Sequence, residues 1–167
     1  MPVITAAEAG GQNVLAFLDM LAFAEGTSTS PHTFDDGYDV VVGGFNSPNT
    51  FNDYSEHPEH PDVLVTVNSH GLKSTAAGRY QLLYRYWCYY RKHMKLEGFG
   101  PLNQDRVAIQ QIREQRAFAF IQSGHLSVAI ARCSNIWASL PGNHYDQHQE
   151  SFSSLIRAYE SAGGTRV

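Results

Sequence analysis

Glu25 stands where a helical stripe should carry a hydrophobic side chain. Val14, Phe17, Leu18 and Leu21 recur at helical spacing within residues 13–25, and Leu18 plus seven and Leu21 plus four both fall on the glutamate. Gly26 follows at once, in the place where a left-handed residue usually ends a helix. A carboxylate so placed is disfavoured twice: it is partly desolvated, and it lies at the negative end of the helix dipole. Both effects hold the proton on the carboxyl, which is what a general acid working near neutral pH requires. An exposed glutamate on a frayed last turn is the plain alternative, and the stripe alone does not choose between the two.

No other acid is as firmly placed. Asp39 interrupts the strand-like run Tyr38-Asp39-Val40-Val41-Val42, where aspartate is intrinsically disfavoured. Two readings of it stand: it orients substrate or stabilises developing positive charge, or it ties the sheet to a loop through backbone hydrogen bonds. Asp53 and Glu56 read as solvated loop charges. His57, His60 and His70 share one polar segment with Glu59, so a zinc site can be drawn. Their spacing is not the helical pair of an HExxH site, and the prolines between them oppose a helix, so no metal is expected. No GxSxG elbow is present, and no Ser-His-Asp triad emerges. Cys88 and Cys133, 45 positions apart and without CxxC pairing, form no redox or zinc motif. Each is expected as a buried free thiol, with one bridge between them left open.

The elements that must position these groups divide the chain in three. An amphipathic helix ending at Glu25 comes first. Residues 27–72 are rich in Ser, Thr, Pro, Asn, Asp and His, but hold two β-branched runs, 38–42 and 63–67. These predict short strands of a small antiparallel sheet, with Asn46-Ser47-Pro48-Asn49 in a turn or lengthened loop. Ser74-Thr75-Ala76-Ala77-Gly78-Arg79-Tyr80-Gln81 reads as a helix entry whose small residues let a ligand approach the backbone. Ser74 or Thr75 is equally readable as an N-cap. From Gly78 onward the pattern is helical. Tyr80, Leu83, Tyr84 and Trp87 form one stripe, Val107, Ala108 and Ile112 the next, followed by 126–133 and by Phe152, Leu155, Ile156 and Tyr159 before Gly163-Gly164. The fold class is α+β: a mainly helical body with a small antiparallel sheet lobe inserted after the first helix. Such an insertion is expected to form one wall of a cleft, with Glu25 at the joint.

Composition narrows the function. A length of 167 residues predicts one domain, and 43% hydrophobic with 17% charged residues fits a folded globular chain. A net charge of −4 argues against a nucleic-acid partner. No run reaches the ~18 apolar residues of a membrane span, and the start lacks the pattern of a secretory signal, so stable membrane insertion and self-export are not expected. The 9 Tyr, 9 Phe and 2 Trp suit a carbohydrate ligand, whose apolar ring faces stack on such side chains. The densest aromatic segment, 84–90, reads first as core and helix surface.

Five stretches carry a resemblance: FLDMLAFAEGT (17–27), GYDVVVGG (37–44), DYSEHP (53–58), LKSTAAGRYQLL (72–83) and RCSNIWASLPG (132–142). In order and in register from about residue 14 to the C-terminus, they resemble the bacteriophage lambda lysozyme (endolysin) family of lytic transglycosylases. The resemblance implies a lysozyme-like fold in one catalytic domain, with residues 1–13 a divergent extension. It also implies cleavage of the β-1,4 bond between N-acetylmuramic acid and N-acetylglucosamine of peptidoglycan. Glu25 matches the family's single catalytic acid, and the scheme implied needs no cofactor. A water-using muramidase with Asp39 as second carboxylate is the alternative, and a non-catalytic glycan-binding module is a third reading. Asp39, Ser74, Gln81, Tyr145 and Gln147 are candidate substrate-binding residues, Gln81 toward an acetamido group, and Tyr145 and Gln147 by their place in the loop after Leu140-Pro141-Gly142. Phe23-Ala24, just before Glu25, departs from the family's pattern. The expected partner is the peptidoglycan glycan strand. A monomer is expected, held in the host cytoplasm until a holin releases it to the periplasm and cell wall.

Overall fold

The computed structural model describes residues 1–44, 47–58, 65–66, 73–142 and 149–167. In chain order the first elements are α1 (Ala6–Ala9), α2 (Gln12–Ala24), β1 (Val40–Gly44), β2 (Ser47–Thr50), β3 (Val65–Thr66), β4 (Lys73–Ser74), β5 (Ala76–Ala77) and β6 (Leu82–Leu83). Helices α3 (Tyr84–Met94), α4 (Pro101–Glu114), α5 (Phe118–Gln122), α6 (Leu126–Cys133) and α7 (Phe152–Ser161) complete the α+β architecture. Two compact units result: residues 1–25 with 105–167, and residues 26–104. No helix among the described residues is long and apolar enough to cross a membrane.

The first unit is helical. Its centre is α2, which buries Val14, Ala16, Phe17, Leu18, Met20, Leu21, Ala22 and Ala24 and packs on α7, α5 and α1. A helix apolar on most of its faces belongs inside a core instead of on its edge. Leu155 and Tyr159 of α7, Ile121 of α5 and Leu126, Ala129, Ile130 and Cys133 of α6 line the same interior. Residues 1–13, expected as an extension, are folded into this unit. Ile4 and Ala9 are buried, Thr5 and Glu8 form a reciprocal capping box on α1, and the buried carboxylate of Asp105 accepts the N–H groups of Val3 and Ile4 at 2.9 Å each.

The second unit holds the strands. A four-stranded antiparallel sheet runs in the order β2-β1-β5-β6, and β3 pairs antiparallel with β4 in a separate ribbon. The two β-branched runs do form strands; of the second, only Val65–Thr66 lies within the described residues. Three expectations need correction. Ser47–Thr50, read as turn or loop, is an edge strand, in register through Val40↔Thr50 and Val41↔Asn49 with an irregularity before Gly44↔Ser47. An edge tolerates Pro48 because its missing N–H leaves no ladder bond broken. Ser74–Gln81, read as a helix entry, instead completes β4, forms β5 and turns into β6 through positive φ at Gly78 (+77°) and Gln81 (+51°). Tyr80 is therefore buried in a turn, and α3 begins only at Tyr84. Thr75 caps that helix from a distance, its hydroxyl accepting the Tyr84 N–H at 3.1 Å. A third correction concerns Cys88, which is exposed on α3 opposite the buried Trp87 and Tyr90; Cys133 is buried, and both thiols are free.

Strands of two residues supply few ladder bonds, so side chains must hold this unit together. Gln104 is the main pin. Its amide oxygen accepts the Arg79 N–H at 2.8 Å, and its amide nitrogen donates to the carbonyls of Tyr38 at 3.1 Å and Phe99 at 2.9 Å. Gly78 lets that amide approach, since a Cβ there would fall 2.2 Å from the Gln104 oxygen. We expect Gln104→Ala to lower unfolding free energy by roughly 2–4 kcal/mol, because three buried backbone groups lose their partner at once. Urea denaturation measures this, and a loss within about 0.5 kcal/mol, the scatter of ordinary surface changes, would refute the pinning role.

Candidate active site

Glu25 closes α2. Its backbone stays helical (φ −73°, ψ −7°), its N–H donates to Leu21 at 2.9 Å, and Gly26 then takes the left-handed conformation at φ +70°. The cap geometry expected from the stripe is therefore present. The residue is half-buried, and its carboxyl is the more sheltered end. Loss of solvent pushes the group from 4.5 up to about 7, while one hydrogen bond works the other way: the Ser139 hydroxyl donates to Oε1 at 2.6 Å.

Ser139 is the residue that sequence reasoning passed over. It lies 114 positions from its partner, in the turns that follow α6. Trp137 and Leu140, both buried, anchor those turns on either side. The N–H of Trp137 donates to Cys133 and that of Leu140 to Trp137, while the Ser139 carbonyl accepts the Glu150 N–H at 2.8 Å. Its motif, RCSNIWASLPG, was visible; nothing local in it marks the serine as the partner of a distant acid.

Asp39, Ser74 and Gln81 lie in the second unit, each in local bonds. Asp39 is buried at 4% exposure, and its carboxylate accepts the hydroxyl of Thr33 and the N–H of Phe34, the latter at 2.8 Å. Thr33 in turn accepts the Gly37 N–H at 2.7 Å, so Asp39 ties the loop 33–37 to the start of β1. The second of its two readings matches this geometry. Ser74 accepts the Ala76 N–H at 3.1 Å, and the Gln81 amide donates to Gly78 at 3.0 Å, closing its own turn. No hydrogen bond among the described residues joins Asp39, Ser74 and Gln81 to one another. A cavity of about 510 Å³ is lined by Asp39 with Phe34, Asp35, Phe51, Asn52 and Tyr54, and the Tyr54 hydroxyl donates to Asp35 at 2.6 Å.

Tyr145, Gln147, His60, His70 and Glu59 lie outside the described residues. His57 is a core histidine: its Nε2–H donates to the Leu82 carbonyl at 2.8 Å, and its ring packs on Phe99 and Tyr84. Asp53 is exposed and held below its usual value by hydrogen bonds from Ser55, and Glu56 pairs with Arg91 at 2.6 Å. Among the described residues, no three His, Cys, Asp or Glu side chains are grouped to hold a metal ion.

The family model described as Endolysin matches residues 15–166. The chain belongs to the endolysin family. It is 50% identical over 166 residues to the endolysin of Escherichia phage P2, covering 98% of each chain. It is 53% identical over 151 residues to the endolysin of Escherichia phage lambda, covering 90% of each. Among solved structures, bacteriophage lambda lysozyme complexed with a chitohexasaccharide matches with a TM-score of 0.86 and 49% identity over the whole of both chains. The fold of this endolysin is accordingly lysozyme-like.

A carboxyl raised on folding favours the native state below its unfolded value, and that contribution is lost as pH rises through the folded value. Glu25→Gln removes the burden. The variant is expected to exceed the parent in stability at pH 8 by up to roughly 3 kcal/mol, the gap closing toward pH 4.5. Urea titrations across that range measure it. Ser139→Ala withdraws the one donor among the described residues that favours the ionised form, so the Glu25 carboxyl should titrate higher still. Carbon NMR of the labelled carboxyl reads this directly, and a downward move contradicts the assignment.

Proposed function

We propose that this endolysin cleaves the β-1,4 linkage between N-acetylmuramic acid and N-acetylglucosamine in peptidoglycan, as a lytic transglycosylase with Glu25 as single general acid and base. The observation that carries the reading is the sheltered Glu25 carboxyl, raised to about 7 and held by Ser139. Protonated near neutral pH, it can donate to the departing glycosidic oxygen. As carboxylate it then accepts the proton of the muramic acid C6 hydroxyl, which attacks the anomeric carbon and closes a 1,6-anhydro ring. Bond breaking and bond making balance without a water molecule and without a metal.

The bound saccharide in the matching lambda lysozyme structure supports a glycan as substrate. Asp39, the second carboxylate that a hydrolytic scheme would use, holds the loop 33–37 through one donor on each oxygen and borders the cavity of about 510 Å³, so the product ends decide between the two schemes. Ser139 is a positioning residue: its hydrogen bond fixes the carboxyl's rotamer.

Mass spectrometry of muropeptides released from purified walls tests the chemistry. Ends carrying 1,6-anhydromuramic acid are expected, and reducing muramic acid ends would show a hydrolase instead. Glu25→Gln should lower the rate at least a hundredfold, the usual worth of a positioned proton donor. Near-parental cleavage by that variant would remove Glu25 from the mechanism.

A further inference from the structure

The chain is acidic, yet one helix is not. Residues 26–83 hold seven Asp or Glu against two Lys or Arg; residues 84–96 hold four Lys or Arg, one His and no acid. These thirteen residues are α3 and its first residues beyond. The helix is sharply two-faced. Trp87 and Tyr90 point into the unit, while Arg85, Tyr86, Cys88, Tyr89, Lys92 and His93 are all exposed. At 100° per residue those six occupy one continuous arc of about 160°.

Within that arc the cations are uncompensated. Arg91 is neutralised by Glu56 at 2.6 Å, but no carboxylate among the described residues pairs with Arg85, Lys92 or Lys95. Each exposed tyrosine is joined by a basic neighbour, with the Arg85 guanidinium 4.6 Å above the Tyr86 ring and the His93 ring 4.0 Å from that of Tyr89. We propose that this face of α3 docks the endolysin on the surface of an anionic phospholipid bilayer, lying flat among the headgroups. The proposal is independent of the glycan chemistry assigned to Glu25.

Three features select a bilayer as the occupant. The positive charge complements a phosphate-bearing surface. The cations are spread along a convex helix about 16 Å long instead of converging on a pocket, so they suit an array of mobile headgroups better than one fixed anion. One face of each exposed tyrosine ring is already covered, Tyr86 by the Arg85 guanidinium and Tyr89 by the His93 ring, which disfavours stacking between nucleic-acid bases. The Tyr86 hydroxyl accepts an N–H of the Arg85 guanidinium at 2.9 Å, and both exposed tyrosines suit the interfacial zone, where tyrosine is favoured. Eleven residues with so polar a face lie on a membrane and do not span it.

Co-sedimentation of the full chain with lipid vesicles tests the assignment. Retention is expected on vesicles of phosphatidylcholine mixed with phosphatidylglycerol, not on phosphatidylcholine alone, and it should fall as salt is added. The double variant Arg85→Glu/Lys92→Glu should lose retention while keeping parental cleavage of membrane-free walls, which also reports correct folding. Glu56→Gln releases Arg91 from its partner and should strengthen partitioning about fivefold, the usual effect of one added basic residue near an anionic surface. Equal retention on neutral vesicles, indifference to all three substitutions, or loss of wall cleavage together with retention overturns the proposal. So does displacement from vesicles by stoichiometric single-stranded RNA, which would make the face a nucleic-acid surface.

Discussion

An ionisable carboxyl kept from water at the end of a buried helix is the constraint around which the helical unit is organised. Helix α2 is sealed along almost its whole length, and its last turn delivers Glu25 into a place where charge is unwelcome. Folding would be easier with an uncharged side chain there, since the desolvation penalty above neutral pH falls on the native state alone. Such a group opposes stability above neutral pH, which agrees with the catalytic role proposed for it. Ser139 moderates the conflict. Its hydroxyl can donate to the carboxylate, and after protonation of that group it still offers lone pairs and a proton, so one contact holds the side chain in both states.

That tension was legible from sequence because it is local. Helical spacing from Val14 to Leu21, the glutamate that breaks it and Gly26 lie within thirteen positions, and the structure reproduces both the helix and its left-handed exit. The α6 and α7 helices were equally open to reading, since each carries its apolar period inside one segment. Ser139 was not. A hydroxyl that meets its carboxylate across 114 positions leaves no periodic trace, and serine among turns is ordinary. The two-residue strands β5 and β6 escaped reading for a related reason. Ala76–Ala77 and Leu82–Leu83 are too short to show alternation, and alanine favours helix in isolation. Only pairing with β1, through Val41 and Ala77, decides the matter. Cys88 was misplaced because its neighbours Trp87 and Tyr90 are apolar in sequence, while the helix turns the thiol away from both.

The second unit shows how a sheet with so few ladder bonds is made definite. Its strands are short and one is an edge carrying proline, so registration rests on polar side chains that grip backbone. Asp39 binds the loop before β1, Gln104 binds three segments around Gly78, and Thr27 donates to the Arg79 carbonyl at 2.6 Å. Arg79 itself is buried and pairs with Asp36 at 2.9 Å. Buried polar groups of this kind cost stability when half satisfied and specify one arrangement when satisfied. Asp39 thus resembles a catalytic candidate in sequence for the same reason that it serves structure: a carboxylate in a strand-like run must have donors, and here the donors are backbone and threonine.

Net charge is the descriptor that misleads most in this chain. A value of −4 averages a strongly acidic stretch with a helix that carries only bases, and the average suggests weak attraction to any anionic surface. Electrostatic contact is decided within about a Debye length, roughly 8 Å in physiological salt, which is shorter than α3 itself. A surface approaching the side of that helix that bears Arg85 and Lys92 meets those cations first, because Glu56 is engaged with Arg91. The same helix face could not have been assembled by burying the bases, because Lys and Arg are almost never buried without partners. Burial of Trp87 and Tyr90 therefore dictates where the cations go: once the aromatic side is committed to the core, helical geometry gathers the remaining charges into one outward arc.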